Sequence, residues 1–161
     1  MLARAGSHYT MTVRIVERSL LLPYSPGQMY ALVNDVARYP EFLPGCSAAR
    51  IVALEPAQMI AAIEIRKGPL HFAFTTRNRL DPERAIDMEL IEGSFRSLRG
   101  SWRFADIGGK GVRATLRLEF DFAIRTAHLL LEPVFDRVCQ SITGAFARRA
   151  NAIYGRRDDA G

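Results

Sequence analysis

The spacing of the apolar residues changes once near the C-terminus, and that change limits the fold more than any other feature of the chain. Between 112 and 122 the residues alternate: Val112, Ala114, Leu116, Leu118, Phe120 and Phe122 share one side, and Arg113, Thr115, Arg117, Glu119 and Asp121 the other. A strand written this way has one buried and one solvated face. From 134 onward the spacing becomes three or four, through Val134, Phe135, Val138, Ile142, Phe146, Ala150 and Ile153, with Asp136, Arg137, Gln140, Arg148 and Arg149 between them. That is the stripe of a long amphipathic helix. Pro133 belongs at its first turn, because an interior proline removes a hydrogen bond and costs about 3 kcal/mol, and Gly155 supplies its C-terminal cap.

Upstream, short apolar segments are separated by turn residues. The first strand covers 13–22 and stops at Pro23 and Pro26. Ser25-Pro26 then reads as an N-cap with a first-turn proline, and Met29, Leu32, Val33 and Val36 form one face of a short helix over 26–37. The segment Tyr39-Pro40-Glu41-Phe42-Leu43-Pro44-Gly45-Cys46 is too short between its prolines for a long helix, yet its large side chains must cover something apolar. Strands follow at 48–54, 58–66, 70–79, 85–91 and 97–104, broken by Glu55-Pro56, Lys67-Gly68-Pro69, Asp81-Pro82 and Gly93. Gly108-Gly109-Lys110-Gly111 reads as a hairpin turn and lacks the spacing of a phosphate loop. Antiparallel strands with segregated helices make the fold class α+β. Residues 1–10 have no period and are set aside as an extension or tag remnant. One domain spans 11–155, and 156–161 is expected to be a disordered tail.

Several function classes are excluded early. No apolar run approaches the ~20 residues that cross a bilayer, and the N-terminus does not read as a secretory signal. Cys46 and Cys139 are expected to be reduced thiols of a cytoplasmic protein rather than a disulfide framework. The chain has three His; only His71 falls on a strand, where it alternates away from Phe72 and Phe74. No G-x-S-x-G, H-E-x-x-H or C-x-x-C occurs, so no catalytic or metal-ligating set is assigned. Glu64, Arg66 and Glu89 are strand residues read as outward-facing charges. With 22 Lys and Arg against 17 Asp and Glu, the chain carries a formal charge of +5. Small arginine groups, Arg77 with Arg79, Arg96 with Arg99 and Arg103, Arg148 with Arg149, and Arg156 with Arg157, suit anionic lipid headgroups or RNA phosphates. Charge alone does not choose between them, but the aromatic residues offer no exposed stacking platform, which favours lipid.

A sheet of six or seven strands curls, and a single helix cannot fill its concave side evenly. The rings on the apolar faces, Phe72, Phe74, Trp102, Phe104, Phe120, Phe122, Phe135 and Phe146, either close into a dry core or line a cavity. Pattern alone leaves both readings open. Three separated motifs then add a resemblance: the segment YPEFLPGC, the spacing Gly93-x-Phe95-x-x-Leu98-x-Gly100-x-Trp102-x-Phe104, and Ala145-Phe146-x-x-Arg149-Ala150-x-x-x-Tyr154-Gly155. Together they resemble the coenzyme Q-binding START-domain family, which also contains the bacterial ribosome-association toxin, within the START-like (SRPBCC) superfamily. The resemblance covers about 13–155. One departure is Gly93-Ser94-Phe95, where the family often has Gly-Pro-Phe.

The resemblance implies a helix-grip fold, a curved antiparallel sheet wrapped around the C-terminal helix and enclosing an apolar tunnel. It implies a non-enzymatic protein that binds ubiquinone or an isoprenoid precursor, supports respiration and touches the cytoplasmic face of the inner membrane. No other cofactor and no metal is expected. Phe42, Leu43 and Pro44 would form the mouth, with Phe72, Phe74, Trp102, Phe104, Leu118, Phe120, Phe135 and Val138 along the wall. The alternative is a toxin that binds the large ribosomal subunit through a basic surface that includes Arg96, Arg99, Arg148 and Arg149. Catalysis on a bound polyketide-like substrate is a third reading, and it would need polar groups inside the cavity.

Overall fold

The structure, a computed structural model, describes residues 13–68, 70–122 and 125–155, with side-chain surroundings for all of these except 70, 122, 125–136, 138 and 139. The extension 1–10 and the tail 156–161 lie outside the described residues, as do the side chains of Phe135 and Val138.

Strand β1 (Arg14–Leu22) leads into helix α1 (Pro26–Asn34) and a 3-10 turn (Val36–Glu41). Six strands follow: β2 (Cys46–Glu55), β3 (Gln58–Lys67), β4 (Leu70–Asp81), β5 (Ala85–Gly93), β6 (Phe95–Asp106) and β7 (Val112–Phe122), and then helix α2 (Arg125–Tyr154). All seven strands form one antiparallel sheet in the order β1-β7-β6-β5-β4-β3-β2. Strands β1 and β2 are therefore the two edges, and α1 with the 3-10 turn carries the chain from one edge to the other. The expected α+β class and helix-grip order are borne out. No helix among the described residues is long and apolar enough to cross a membrane.

Local chemistry explains the entry to α1. The backbone N–H of Gln28 donates to Ser25 Oγ at 3.1 Å while the Ser25 N–H donates to Gln28 Oε1 at 2.9 Å, a reciprocal cap that satisfies two otherwise orphaned donors. Pro26 sits at the first helical position, where it has no hydrogen bond to lose. The helix stops at Asn34, earlier than its apolar period suggests: Asp35 leaves helical geometry, with φ −84° and ψ 65°, and the chain continues as the 3-10 turn that contains Pro40.

The last helix differs from the sequence expectation at its start. It begins at Arg125, so Pro133 lies inside it rather than at its first turn. The missing proline N–H is one bond lost from a 30-residue ladder, which absorbs a penalty that would stop a shorter helix. Its C-terminal half docks through Ala145, Phe146 and Ala150, all buried. Tyr24 Oη donates to Asn151 Oδ1 at 2.5 Å, and Tyr154 Oη to the Gln28 carbonyl at 2.9 Å. These bonds tie the helix to the β1–α1 connection and to α1.

The sheet bends at four register shifts, two in β2 and one each at Thr75/Thr76 and Phe95/Ser97, and bulges of this kind sharpen strand twist. The last one lets Phe95 join Leu98, Gly100, Trp102 and Phe104 on the inner face. On β7, Val112, Ala114, Leu116 and Phe120 are buried as the alternation requires. Asp121 departs from it: expected on the solvated face, it is buried and faces Arg96 at 3.8 Å, because the neighbouring bulge brings the arginine over it.

Gly93 is the tightest backbone position. Its φ is +139°, and an added Cβ would lie 2.5 Å from both the Ala73 carbonyl oxygen and Phe74 Cα. Ser94, where the resembled family often has proline, bonds β4 instead: its N–H and Oγ donate to the Ala73 carbonyl at 3.0 and 3.2 Å, and its Oγ accepts from the Ala73 N–H at 3.1 Å. Gly93→Ala should therefore lower the unfolding free energy by about 3 kcal/mol in urea titrations; a loss under about 1 kcal/mol would contradict this account of the β5–β6 corner.

Candidate functional site: an apolar cavity under the C-terminal helix

Between the concave face of the sheet and α2 lies a cavity of about 120 Å³. Ile63 and Ile65 of β3, Phe74 of β4, Leu98 and Trp102 of β6, and Leu116 and Leu118 of β7 make its floor and walls. Ile142 and Phe146 of α2 close one side, and Val36, Tyr39, Leu43, Pro44 and Cys46 close another. The size is close to that of an engineered apolar cavity of about 150 Å³ that stays dry and takes one benzene. Among the described residues, that volume takes a ring-sized group.

Aromatic contacts hold the cavity's rim. Phe146 meets Trp102, Tyr39 and Phe42 edge-on, at ring-centre distances of 5.3, 5.5 and 5.2 Å, the geometry that ring quadrupoles prefer. Trp102 stacks on Phe104 at 5.9 Å. Outside this cluster, the Arg149 guanidinium lies over the Phe42 ring at 5.0 Å and donates to Glu41 Oε1 at 2.9 Å. Arg38 donates to the other oxygen of Glu41 at 3.0 Å. Hydrogen bonds from Arg38 and then Arg149 hold the Glu41 carboxyl below its usual range. The clasp is therefore ionised at neutral pH, and its contribution is lost only as pH falls through that lowered value.

Besides the Trp102 indole, four cavity residues carry polar side-chain atoms. The Tyr39 hydroxyl donates to the Val33 carbonyl, and burial, then the charges of Cys46 and Asp35, push its pKa upward. Cys46 Sγ donates to the Ala48 carbonyl at 3.6 Å, and burial pushes its thiol up. Thr76 Oγ1 donates to Asn78 Oδ1 at 2.7 Å, both side chains being buried. No charged side chain lines the cavity among the described residues.

The residues expected at the site divide into three groups. Leu43, Pro44, Phe74, Trp102 and Leu118 line the cavity, and Phe42 stands just behind it against Phe146 and Arg149. Phe72 and Phe120 do not line it: with Val16, Phe95 and Leu98 they form a second apolar cluster, in which Phe72 stacks on Phe95 at 5.6 Å. Phe104 also lies outside, packed edge-on against Tyr30 at 6.0 Å. Phe135 and Val138 lie outside the described side chains. Tyr39 and Cys46, the ends of the segment expected to cover something apolar, line the cavity as well, as does Phe146, one of the rings offered as core or lining, whereas Thr76 and Asn78 are site residues that sequence reasoning missed. Thr76 and Asn78 share the alternation of Phe72 and Phe74.

The charged candidates are mostly engaged. Arg149 is 23% exposed and belongs to the clasp, and Arg96 faces Asp121, so neither is a free surface cation. Arg99 and Arg148 are exposed and make no ion pair among the described residues. Glu64 lies outward with Ser47, Arg66 and His71 around it at 2.8, 3.2 and 3.3 Å, and Glu89 faces Arg77. Neither enters the cavity.

Comparison with known proteins decides the family. The profile described as "Polyketide cyclase / dehydrase and lipid transport" matches residues 22–147. The chain belongs to that family. Within it, the chain is 41% identical over 140 residues to the "Ribosome association toxin RatA" of Vibrio cholerae, covering 87% of this chain and 97% of the relative. It is 27% identical over 144 residues to the "Coenzyme Q-binding protein COQ10 homolog B, mitochondrial" of Xenopus laevis, covering 87% of this chain and 59% of that one. Among solved structures, the Zhui aromatase/cyclase of Streptomyces sp. R1128 superposes with a TM-score of 0.78 at 18% identity, over 86% of this chain and 94% of that one. That likeness is one of fold. The START-like resemblance read from the three motifs is borne out.

Closure of the cavity has a direct chemical readout. In a Cys139→Ser variant, Cys46 should react with a disulfide reagent such as DTNB at pH 8 at least tenfold more slowly than free cysteine, because it is buried and its thiol is held protonated. Reaction at the free-cysteine rate would show that water reaches the cavity wall.

Proposed function

We propose that this protein is a non-enzymatic carrier that shelters a polyprenylated quinone, or an isoprenoid precursor of one, at the cytoplasmic face of the inner membrane. The observation that carries the reading is the cavity: ring-sized, walled by apolar side chains, and without a charged side chain among its described lining residues. Burial drives binding in such a site at roughly 25 cal/mol per Å² of apolar surface removed from water. The head ring or the first isoprene unit fits the present volume, and the rest of the tail requires the mouth at Leu43 and Pro44 to widen. The coenzyme Q-binding name of the Xenopus laevis relative supports the same ligand class. Tyr39 and Cys46, both with raised pKa, are neutral near pH 7 and are poor general bases, which supports a binding role over a cyclase-like one.

A second reading has its own support. The Vibrio cholerae relative, at 41% identity, is named a ribosome association toxin, and Arg99 and Arg148 are exposed cations without ion pairs among the described residues. A ribosomal surface would be met by these charges through phosphate contacts that weaken with salt. The two readings use different parts of the molecule, so they separate cleanly.

Trp102 is the one tryptophan of the chain and lines the cavity. Titration with decyl-ubiquinone should quench its fluorescence saturably, and Leu43→Glu, which places a carboxylate at the mouth, should weaken the effect at least tenfold. Arg99→Glu with Arg148→Glu should leave the quenching intact and abolish any salt-sensitive sedimentation with large ribosomal subunits. Sedimentation that persists in the wild type with no quenching by the quinone would overturn the carrier reading in favour of the second.

A further inference from the structure

The cavity wall contains a polar pair that its apolar surroundings do not explain. Thr76 and Asn78 are 4% and 5% exposed and alternate onto the inner face of β4. Their cross-strand neighbours are Ala61 and Leu90 beside Thr76, and Met59 and Met88 beside Asn78. All four are apolar. The Thr76 hydroxyl donates to Asn78 Oδ1 at 2.7 Å, which uses the hydroxyl proton and orients the amide. The Asn78 Nδ2 group then carries two N–H donors, and among the described residues neither has a partner. A pair that served packing alone would be self-contained, since polar groups inside folded proteins are almost always paired with protein or water. This one is satisfied only halfway, and Asn78 lines the cavity.

We propose that Thr76 and Asn78 form the recognition element for a carbonyl oxygen of the bound ligand, so that the cavity selects neutral, carbonyl-bearing apolar molecules over hydrocarbons and carboxylate anions. The inference rests on the carrier reading above, and it specifies the ligand's polar chemistry. An amide N–H can only donate, so its complement is an acceptor. The acceptor must be neutral, because no Lys, Arg or His lines the cavity among the described residues and a buried carboxylate would have no countercharge. Thr76 acts through Asn78 and is a positioning residue: by engaging Oδ1 it holds Nδ2 toward the ligand.

The test uses the full chain and three probes, butylbenzene and butyrophenone, which match in shape, and the charged 4-butylbenzoate, in calorimetric titrations of the wild type, Asn78→Leu and Thr76→Val. In the wild type, 4-butylbenzoate should bind most weakly. Asn78→Leu should lower the affinity ratio of butyrophenone to butylbenzene about tenfold, the scale of one buried hydrogen bond, while butylbenzene binds as before or more tightly. Thr76→Val should lower the ratio by a smaller factor in the same direction. Asn78→Leu replaces an amide whose N–H donors have no partner among the described residues with an apolar side chain of similar size, so its melting temperature should equal or exceed that of the wild type. Should it fail to fold, the Thr76→Val ratio decides alone. An unchanged ratio in every folded variant would overturn the recognition element and leave the cavity reading standing, with water as the amide's partner. Failure of the wild type to bind any of the three probes would overturn both.

Discussion

Phe146 is the point at which the three layers of the molecule meet. Its ring stands edge-on to Trp102 of the sheet and to Tyr39 and Phe42 of the segment that crosses the mouth. Because these contacts are edge-on, the helix is propped away from the sheet by about a ring's width instead of settling onto it. Ala145 and Ala150 on either side are small and fully buried, so the helix approaches closely where they lie and stands off between them and the remainder of the floor. A bent sheet and a single helix cannot match along their whole length, and the cavity occupies the mismatch.

That arrangement costs stability. An unfilled volume of about 120 Å³ corresponds to about 3 kcal/mol relative to a filled core at the usual cost per unit of cavity volume. The Asn78 amide nitrogen, without a hydrogen-bond partner among the described residues, belongs to the same cavity wall. Proteins depart from local rules of packing and hydrogen bonding mainly at functional sites, and here two departures coincide in one place. They are offset by close packing elsewhere, as in the cluster where Phe72 and Phe120 pack against Phe95 at one end of the cavity.

Much of the fold was legible because its signals are local. The alternation from Val112 to Phe122, the cap at Ser25 and the glycines at 108 and 109, with φ of +56° and +75°, each act within a few residues. What the sequence concealed was non-local. Pro133 inside the helix reflects a long ladder overruling one residue. The bulge beside Phe95 moves Arg96 over Asp121, and no spacing rule shows that. Which of several inward rings face a void also depends on packing from other strands: Phe72 and Phe74 sit two residues apart on one face, yet only Phe74 lines the cavity. Thr76 and Asn78 were readable as inward by the same alternation, but aromatic content drew the eye to the rings rather than to the polar residues that follow them.

The most direct measurement is native mass spectrometry of the protein purified from a quinone-producing host, with organic extraction and lipid analysis of what it carries. The account predicts a bound neutral, carbonyl-bearing polyprenyl lipid that is lost from the Leu43→Glu variant. An unliganded protein that sediments with large ribosomal subunits at low salt, equally in the wild type and in Leu43→Glu, would contradict it.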